Sequence, residues 1–385
     1  MKNIRYGQQV IDEDDIQSVI NVLQSDFLTC GPFVERFEKA LCEYTGAKYA
    51  VAVCNATAAL HLSCLALDLG PKDILWTSPN SFVASSNCGL YCGASVDFVD
   101  IDDKTYNLST VLLAQKLEQA KKNNCIPKVV IPVHFAGASC DMQAIHSLSL
   151  QYGFKIIEDA SHAVGATYNQ LKVGNCQFSD MAVFSFHPVK IITTGEGGVI
   201  LTNNKALYEK AKLLRSHGIT RDTSTVQATG KWFYEMLELG YNYRITDLQC
   251  ALGSSQLTKI EAYIKRRHEI ALRYDQHLHD LPLTLPFRDA KNPSALHLYP
   301  ILVENNKKNL NRKAVFEKLQ EKGIGVNVHY IPIPSQPYYK NLGFDQSHYP
   351  KALSYYEKAI SLPIHYALTE QEQDYIIQCL YEIFQ

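Results

Sequence analysis

The chain has 385 residues, a formal net charge of −2 at pH 7 and 46% apolar residues. This length allows two or three domains with a large buried core. The nearly balanced charge provides no basic field for nucleic acid, and no apolar run is long enough to span a membrane, so we expect neither nucleic acid nor a membrane among its partners.

The eleven cysteines and 13 histidines bear on compartment and metal binding. The cysteines are spread through predicted strands and helices, and the first residues do not form a signal peptide, so we expect reduced thiols and a cytoplasmic protein. The closest cysteine pair, Cys88 and Cys92, has no second pair at zinc-like spacing, and the histidines form no paired ligand motif. We therefore expect no metal site.

Two helices open the chain, and an alternating pattern follows them. Asp12 caps a helix from Glu13 to Leu23, and Pro32 stands in the first turn of a helix that ends at Gly46. From Tyr49 to about Asn203, strand-like and helix-like segments alternate, which predicts an α/β layered domain.

The turn after the first strand of this domain favours phosphate binding. The apolar strand Tyr49 to Cys54 leads into Asn55 to Leu60, where an alanine- and leucine-rich helix begins. Free backbone N–H groups and the hydroxyl of Thr57 at a helix N-terminus form a phosphate cradle. An ordinary first-turn threonine is the alternative.

Two further strand ends carry an aromatic ring and an acid. Phe82 follows the strand Asp73 to Trp76 and can stack on a flat cofactor, or it can be an ordinary core residue. Phe154 to Ile157 reads as a buried parallel strand that runs into Asp159, and ligands of open α/β sheets bind beyond the carboxyl ends of the strands. Pyridoxal phosphate needs such a carboxylate, because it keeps the ring nitrogen protonated. A cap of the following turn is the other role open to Asp159.

Lys190 follows the next buried strand, beside a hydroxyl and a glycine pair. A lysine in such a loop can lose its solvation, lower its pKa and attack an aldehyde, whereas most lysines are ordinary surface residues. Ser185, five residues before Lys190, can add a second hydroxyl to the phosphate cradle. A phosphate turn, an aromatic ring, an acid, a serine and a lysine, each at a strand end, together favour a pyridoxal-phosphate enzyme.

The rest of the chain predicts a second, smaller domain. Residues 218–240 have weak periodicity and form a long loop, and Ile245 to about His277 is a helical pattern long enough to bridge domains. Beyond the polar break at 289–293, two strands and two helices are predicted: His297 to Val303, Arg312 to Lys322, Ile324 to His329 and Thr369 to Phe384. We expect residues 1–250 to hold the N-terminal helices and the large α/β domain, and residues 251–385 to hold the bridging helix and a small α+β domain.

The segment Ser185 to Lys190, followed by Ile192 to Gly198, resembles the DegT/DnrJ/EryC1/StrS family of sugar aminotransferases. The likeness runs nearly end to end, from Tyr6-Gly7 to the C-terminal helix. It implies an α/β fold of type I pyridoxal-phosphate aminotransferases, with a large mixed-sheet domain plus a smaller C-terminal α+β domain. Departures are small: Cys30 stands where glutamine is common, and residues 79–87 are more polar than usual.

The resemblance implies a role for each candidate residue. Lys190 would hold pyridoxal 5'-phosphate as an internal aldimine and move the proton, Asp159 would protonate the ring nitrogen, and His162 would tune the ring oxygen. The implied cofactor contacts are Ala56, Thr57, Phe82, Asp159, His162, Ser185, Lys190 and Asn242 of the partner subunit. The implied sugar-nucleotide contacts are Tyr6, Asp26, Phe27, Leu28, Thr29, Ala56, Ser185, Asn242, Val328, His329, Tyr330 and Ile331.

Within the family, the chain resembles the C4 aminotransferases of pseudaminic acid biosynthesis. Such an enzyme would be a homodimer with shared active sites that moves the amino group of L-glutamate to C4 of a UDP-linked 4-keto-6-deoxy-N-acetylhexosamine. A relative that aminates another carbon or another nucleotide sugar is the nearest alternative. A sugar dehydratase would carry histidine in place of Lys190, and a non-catalytic regulator would not be expected to keep Asp159, Ser185 and Lys190 together.

Overall fold

The computed structural model describes residues 3–222, 228–230 and 232–385. The strands are β1 (Tyr49–Val53), β2 (Ile74–Thr77), β3 (Ser95–Phe98), β4 (Val129–Ile131), β5 (Lys155–Asp159), β6 (Thr167–Tyr168), β7 (Leu171–Lys172), β8 (Met181–Ser185), β9 (Gly198–Thr202), β10 (Ile219–Thr220), β11 (Glu235–Met236), β12 (Leu283–Thr284), β13 (Tyr299–Val303) and β14 (Ala359–Leu362). The α-helices that lie wholly within the described ranges are α1 (Glu13–Leu23), α2 (Pro32–Thr45), α3 (Ala56–Ala66), α4 (Ala84–Tyr91), α5 (Thr110–Lys122), α6 (Met142–Tyr152), α7 (Lys205–Arg215), α8 (Asp247–Thr258), α9 (Ile260–Leu278), α10 (Arg312–Glu321), α11 (Pro337–Asn341), α12 (Pro350–Lys358) and α13 (Glu370–Phe384).

A seven-stranded mixed sheet forms the centre of the large domain. Its order is β1-β9-β8-β5-β4-β2-β3; β3, β2, β4, β5 and β8 run parallel, whereas β9 is antiparallel to both β8 and β1. Strands β8 and β9 are buried along their whole length, because helices cover both faces of the sheet. The carboxyl ends of the parallel strands therefore meet at one edge, where the sequence predicts the ligand site.

The small domain packs helices against a three-stranded antiparallel sheet. Its order is β12-β13-β14, and helices α9, α10 and α13 share its apolar core. The chain start joins this domain, since Ile4 pairs with Ile324 and the backbone N–H of Ile364 donates to Tyr6 O at 3.1 Å. The predicted fold class, a large mixed-sheet α/β domain with a smaller α+β domain, is confirmed.

Two local expectations differ from the structure. The helix predicted from Ile245 to His277 is divided at Lys259, whose side chain forms ion pairs with Asp12 and Asp15 of the first helix. The strand predicted from Ile324 to His329 forms only isolated backbone bridges, because this segment crosses from the small domain to the large one. The predicted domain boundary after residue 250 falls inside α8 and stays a prediction. The long loop predicted at 218–240 lies partly outside the described residues.

Candidate active site

A cavity of about 960 Å³ opens at the carboxyl edge of the large sheet, between the two domains. Most of the predicted site residues line it: Tyr6, Ala56, Thr57, Phe82, Asp159, His162, Ser185, Lys190, Val328, His329, Tyr330 and Ile331. The fold thus brings residues from widely separated parts of the chain to one space. Phe82 is 59% exposed in the cavity, so the alternative interpretation of Phe82 as an ordinary core residue is wrong.

Asp26, Phe27, Leu28, Thr29 and Asn242 do not line the cavity of the single chain. The 26–29 turn instead lies against the start of α8, where the N–H of Asp247 donates to Leu28 O at 3.0 Å. Asn242 pairs through its backbone with Ser216. The predicted ligand contacts of these five residues stay predictions.

The N-terminus of α3 forms an open anion cradle. The Asn55 side chain caps the helix by accepting from the N–H of Ala58 at 2.8 Å, while the N–H groups of Ala56 and Thr57 donate to no described residue. A helix N-terminus with free N–H groups binds phosphate through these groups and the helix dipole. The cradle packs closely on Gly198, where an added Cβ would lie 2.6 Å from the nitrogen of Ala56.

Gly198→Ala is therefore expected to disturb this cradle. The added methyl group would push α3 from β9, and overpacking of this kind costs about 1–3 kcal/mol in the free energy of unfolding. Urea unfolding measures that cost, and inorganic phosphate should protect the variant less than the wild type. Gly70→Ala is the matched control, because a Cβ at Gly70 meets no atom within 4 Å; equal losses in the two variants would contradict the packing argument.

Asp159 is buried and held by three donors. The hydroxyl of Ser85 donates to Oδ2 at 2.6 Å, and Ser161 donates to Oδ1 through its hydroxyl at 2.6 Å and its backbone N–H at 3.2 Å. The hydroxyl oxygens of Ser81 and Ser85 are 2.7 Å apart. Because Ser85 donates its proton to Asp159, Ser81 is the donor between the two serines. This network suits an ionised carboxylate, which only accepts hydrogen bonds.

Lys190 is half-buried in the cavity wall. Among the described residues its ammonium has neither a hydrogen-bond partner nor an ion-pair partner. Burial lowers the pKa of Lys190 to about 8, and the negative charge of Asp159 only partly opposes that effect. Thr193 and Thr194, which follow Lys190 in the same loop, fix the loop by donating their hydroxyls to the backbone carbonyls of Phe186 and Glu196. The geometry supplies an amine with a neutral, nucleophilic fraction near pH 8.

Three histidines in the wall are neutral at pH 7. Burial holds the pKa of His162 and of His297 well below the usual range, and the Lys190 charge adds to the effect. Burial also lowers the pKa of His329 to about 3. Nε2 of His162 lies 3.0 Å from the Tyr330 hydroxyl, and Nδ1 is buried. The predicted contact of His162 with a cofactor oxygen stays a prediction.

Sequence reasoning missed Ser85, Ser161 and His297. Ser161 stands two residues after Asp159, which is the spacing of a side-chain turn and a usable local signal. Ser85 belongs to the unusually polar stretch 79–87, whose purpose the sequence did not reveal. His297 has no local signal, because its ring reaches His162 only through the tertiary fold.

The described residues include neither a membrane-spanning helix nor a metal-binding cluster. Within the described ranges, no helix is both long and apolar enough to cross a membrane. In that part of the chain, no group of three or more His, Cys, Asp or Glu side chains is arranged to hold a metal ion. All eleven cysteines lie in it and are free thiols.

Solved aminotransferase structures share this fold over almost the whole chain. PseC of Helicobacter pylori, described as an aminotransferase involved in the biosynthesis of pseudoaminic acid, matches with a TM-score of 0.90 and 34% identity over 100% of this chain and 99% of that one. Spr1654 of Streptococcus pneumoniae, described as a candidate sugar aminotransferase and solved in a PLP form, matches with a TM-score of 0.89 and 31% identity over 99% and 98% of the two chains. The fold and the site define the class of protein as an aminotransferase of fold type I.

The chain belongs to the DegT/DnrJ/EryC1/StrS aminotransferase family, whose sequence model matches residues 9–381. A Campylobacter jejuni relative named UDP-4-amino-4,6-dideoxy-N-acetyl-beta-L-altrosamine transaminase is 38% identical over 384 residues, which cover 99% of this chain and 98% of that protein. The family recognised from the residues around Lys190 is thereby confirmed.

Proposed function

We propose that this chain is a pyridoxal-phosphate-dependent aminotransferase that moves the amino group of L-glutamate to C4 of a UDP-linked 4-keto-6-deoxy-N-acetylhexosamine in the cytoplasm. The observation that carries the proposal is that a lysine of lowered pKa and a buried carboxylate line one cavity beside an open helix N-terminus. The Campylobacter and Helicobacter relatives support the substrate, and the PLP form of Spr1654 supports the cofactor.

The residues present fit pyridoxal phosphate. The free N–H groups of Ala56 and Thr57, with the hydroxyls of Thr57 and Ser185, would hold the phosphate. Asp159 would face the ring nitrogen, Phe82 would stack on the ring, and Lys190 would bind the aldehyde carbon. When bound, the cofactor supplies an aldehyde that carries the amino group and a ring that withdraws electrons from the reacting carbon.

The protein would move and hold protons at two atoms. Nζ of Lys190 would take the proton from the substrate carbon and return a proton on the same side, which requires an amine with a pKa near the working pH. Oδ of Asp159 would hold the proton of the ring nitrogen. Ser85 and Ser161 keep that carboxylate in place, so its orientation does not have to be established during the reaction.

A second copy of the chain would complete the site. Phe27 and Leu28 are 54% and 46% exposed, and Leu239, close to Asn242, is 78% exposed. Apolar side chains left open in this way favour a protein partner. We propose a homodimer in which the 26–29 turn and Asn242 of the partner subunit reach the cavity that they do not line within one chain.

The substrate can be tested by incubating purified protein with glutamate and a panel of nucleotide-linked keto sugars, followed by mass spectrometry. We expect the UDP-linked 4-keto sugar to gain an amino group and 2-oxoglutarate to form in equal amount. If only a 3-keto sugar, or only a dTDP or GDP sugar, gained an amino group, the chain would have the substrate specificity of a different member of the family. No transfer to any sugar, despite bound cofactor, would favour a non-catalytic regulator.

A further inference from the structure

Residues 79–87, called here the polar stretch, follow β2 and enter helix α4, and they face two parts of the site. On one side, Ser85 donates to Asp159. On the other side, the stretch contacts residues 328–336, called here the wall segment, which line the cavity through side chains such as that of Ile331. The Asp159 network uses the serine hydroxyls at 81 and 85. The polar side chains that it does not use are Asn80, Ser86 and Asn87.

Two hydrogen bonds from backbone N–H groups join the wall segment to the polar stretch. The N–H of Ile333 donates to Pro79 O at 2.9 Å, and the N–H of Tyr330 donates to Asn80 Oδ1 at 3.3 Å. The nitrogen of the Asn80 amide donates to Tyr106 O at 3.4 Å. The opposite orientation of this amide would set its oxygen against Tyr106 O and its nitrogen against the N–H of Tyr330, so each contact supports the other.

Tyr339, in the helix α11 that follows the wall segment, binds the same stretch through its hydroxyl. Oη donates to Asn87 Oδ1 at 2.6 Å and lies 2.6 Å from Ser86 Oγ. Because the hydroxyl proton of Tyr339 goes to Asn87, Ser86 is the donor to Tyr339; Val83 O, the more distant acceptor at 3.1 Å, already accepts two backbone N–H groups. Burial raises the pKa of Tyr339 to about 12, so the hydroxyl keeps its proton at neutral pH. Its ring packs edge-on against Phe98 of β3, with the ring centres 5.8 Å apart.

Ser85 and Ser86 are neighbours on α4 but have different partners. Consecutive residues of an α-helix point about 100° apart, so the hydroxyl of Ser85 faces Asp159 while that of Ser86 faces Tyr339. Both serines are buried, and the loss of either hydroxyl would leave a buried partner with one hydrogen bond fewer. The same substitution at the two positions therefore separates the two sides of the polar stretch.

We propose that Tyr339, held by Ser86 and Asn87, is a positioning residue that anchors the wall segment to α4 and so sets one wall of the cavity. This anchor acts separately from Ser85, which serves Asp159. Only the identity of the reactant at this wall rests on the proposed function, in which residues 328–331 contact the sugar nucleotide. The anchor gives the polar side chains of residues 79–87 that do not serve Asp159 a role of their own.

Hydrogen exchange of cofactor-free protein, read by mass spectrometry, tests the anchor without any substrate. Tyr339→Phe keeps the packed ring and removes the hydroxyl. At short exchange times, when local opening dominates, the peptide that covers 328–341 should therefore exchange on the order of tenfold faster, the size of one net hydrogen bond. Ser86→Ala should have the same effect, whereas Ser85→Ala should leave this peptide unchanged.

Tyr349→Phe is the matched control for Tyr339→Phe. Tyr349 is a buried tyrosine that packs on the same Phe98 ring, but its hydroxyl donates to Asp97 at 3.3 Å and not to α4; its removal should leave the 328–341 peptide unchanged. An equal rise in this control or in Ser85→Ala would overturn the anchor, and so would unchanged exchange in folded Tyr339→Phe and Ser86→Ala. If Tyr339→Phe does not fold, Ser86→Ala decides alone.

The kinetic constants separate positioning from general stability. With glutamate and the keto sugar, Tyr339→Phe and Ser86→Ala should raise the KM of the sugar by up to about tenfold and keep kcat, because they loosen a binding wall. Ser85→Ala should instead lower kcat, and a mere loss of folded protein would lower the apparent kcat without raising KM. Faster exchange with an unchanged KM would overturn the positioning role. If no sugar is aminated, the proposed function fails, while the exchange result still decides whether Tyr339 anchors the wall segment.

Discussion

Lys190→Ala is expected to abolish amino transfer while leaving a folded protein. The variant lacks the amine that would bind the cofactor and move the substrate proton, and loss of an acid–base group alone costs about 10²–10⁴-fold in rate. Since two roles are lost together, we expect at least the upper end of that range. The rate of 2-oxoglutarate formation measures the loss, and circular dichroism reports the fold.

Lys205→Ala is the control, because Lys205 is an exposed lysine of α7 whose one ion pair among the described residues is with Glu209. Its turnover should equal that of the wild type. Borohydride treatment of the cofactor-bound wild type should fix the cofactor on the peptide that contains Lys190. Label on another lysine, or normal turnover by Lys190→Ala, would refute the assignment.

The same lysine should also show its lowered pKa in the protein without cofactor. With a pKa of about 8 in place of 10.5, the amine is protonated and unreactive below pH 8 and becomes nucleophilic above it. Reductive labelling by a small aldehyde should therefore rise at Lys190 as the pH passes through about 8, while exposed lysines remain largely protonated until well above pH 9. Mass spectrometry of the peptides distinguishes the two.

Asp159→Asn is expected to bind the cofactor but transfer the amino group poorly. The amide nearly matches the carboxylate in shape, and its single oxygen can still accept from Ser161 while its NH2 group would face Ser85 as a donor. It carries no charge to hold a proton on the ring nitrogen. Removal of one such electrostatic partner typically costs about 10²–10³-fold in kcat. Single-turnover absorbance with glutamate separates this slow step from cofactor binding.

Asp103→Asn controls for the loss of a carboxylate, because Asp103 is 74% exposed and outside the cavity lining. Ser85→Ala should lower kcat less than Asp159→Asn does, because it removes only one of the donors to Asp159 and keeps the charge of the carboxylate. A near-normal kcat for Asp159→Asn would contradict the role of the carboxylate. Loss of cofactor binding without a change in the rate of the bound fraction would make Asp159 a binding residue only.

Local chemistry at strand ends was readable from the sequence. Asp159 and Lys190 each follow an apolar run, and the edge rule for parallel strands predicted that they would face one site. Thr57 follows a strand at a turn into an alanine-rich helix. The three residues line one cavity, and their positions could be predicted because buried strands, helix starts and glycine turns have short-range patterns.

Other parts of the site depend on contacts between distant segments. The ring of the small-domain residue His297 contacts the ring of His162. Ser85 of α4 donates a hydrogen bond to Asp159. Asp247 accepts from the N–H of Gly31, just after the 26–29 turn. Nothing in the local pattern around any one of them specifies its partner. The helix predicted over 245–277 is likewise divided at Lys259, whose side chain forms ion pairs with the distant Asp12 and Asp15.

By itself, the sequence determined the α/β class, the strand-end positions of Asp159, Lys190 and the turn at Thr57, and the family. Only the tertiary structure decided which donors hold Asp159, how far the pKa of Lys190 falls, and that three neutral histidines share the cavity wall. The reason is physical: periodicity and turn chemistry are set by near neighbours along the chain, whereas desolvation and hydrogen-bond satisfaction are set by neighbours in space.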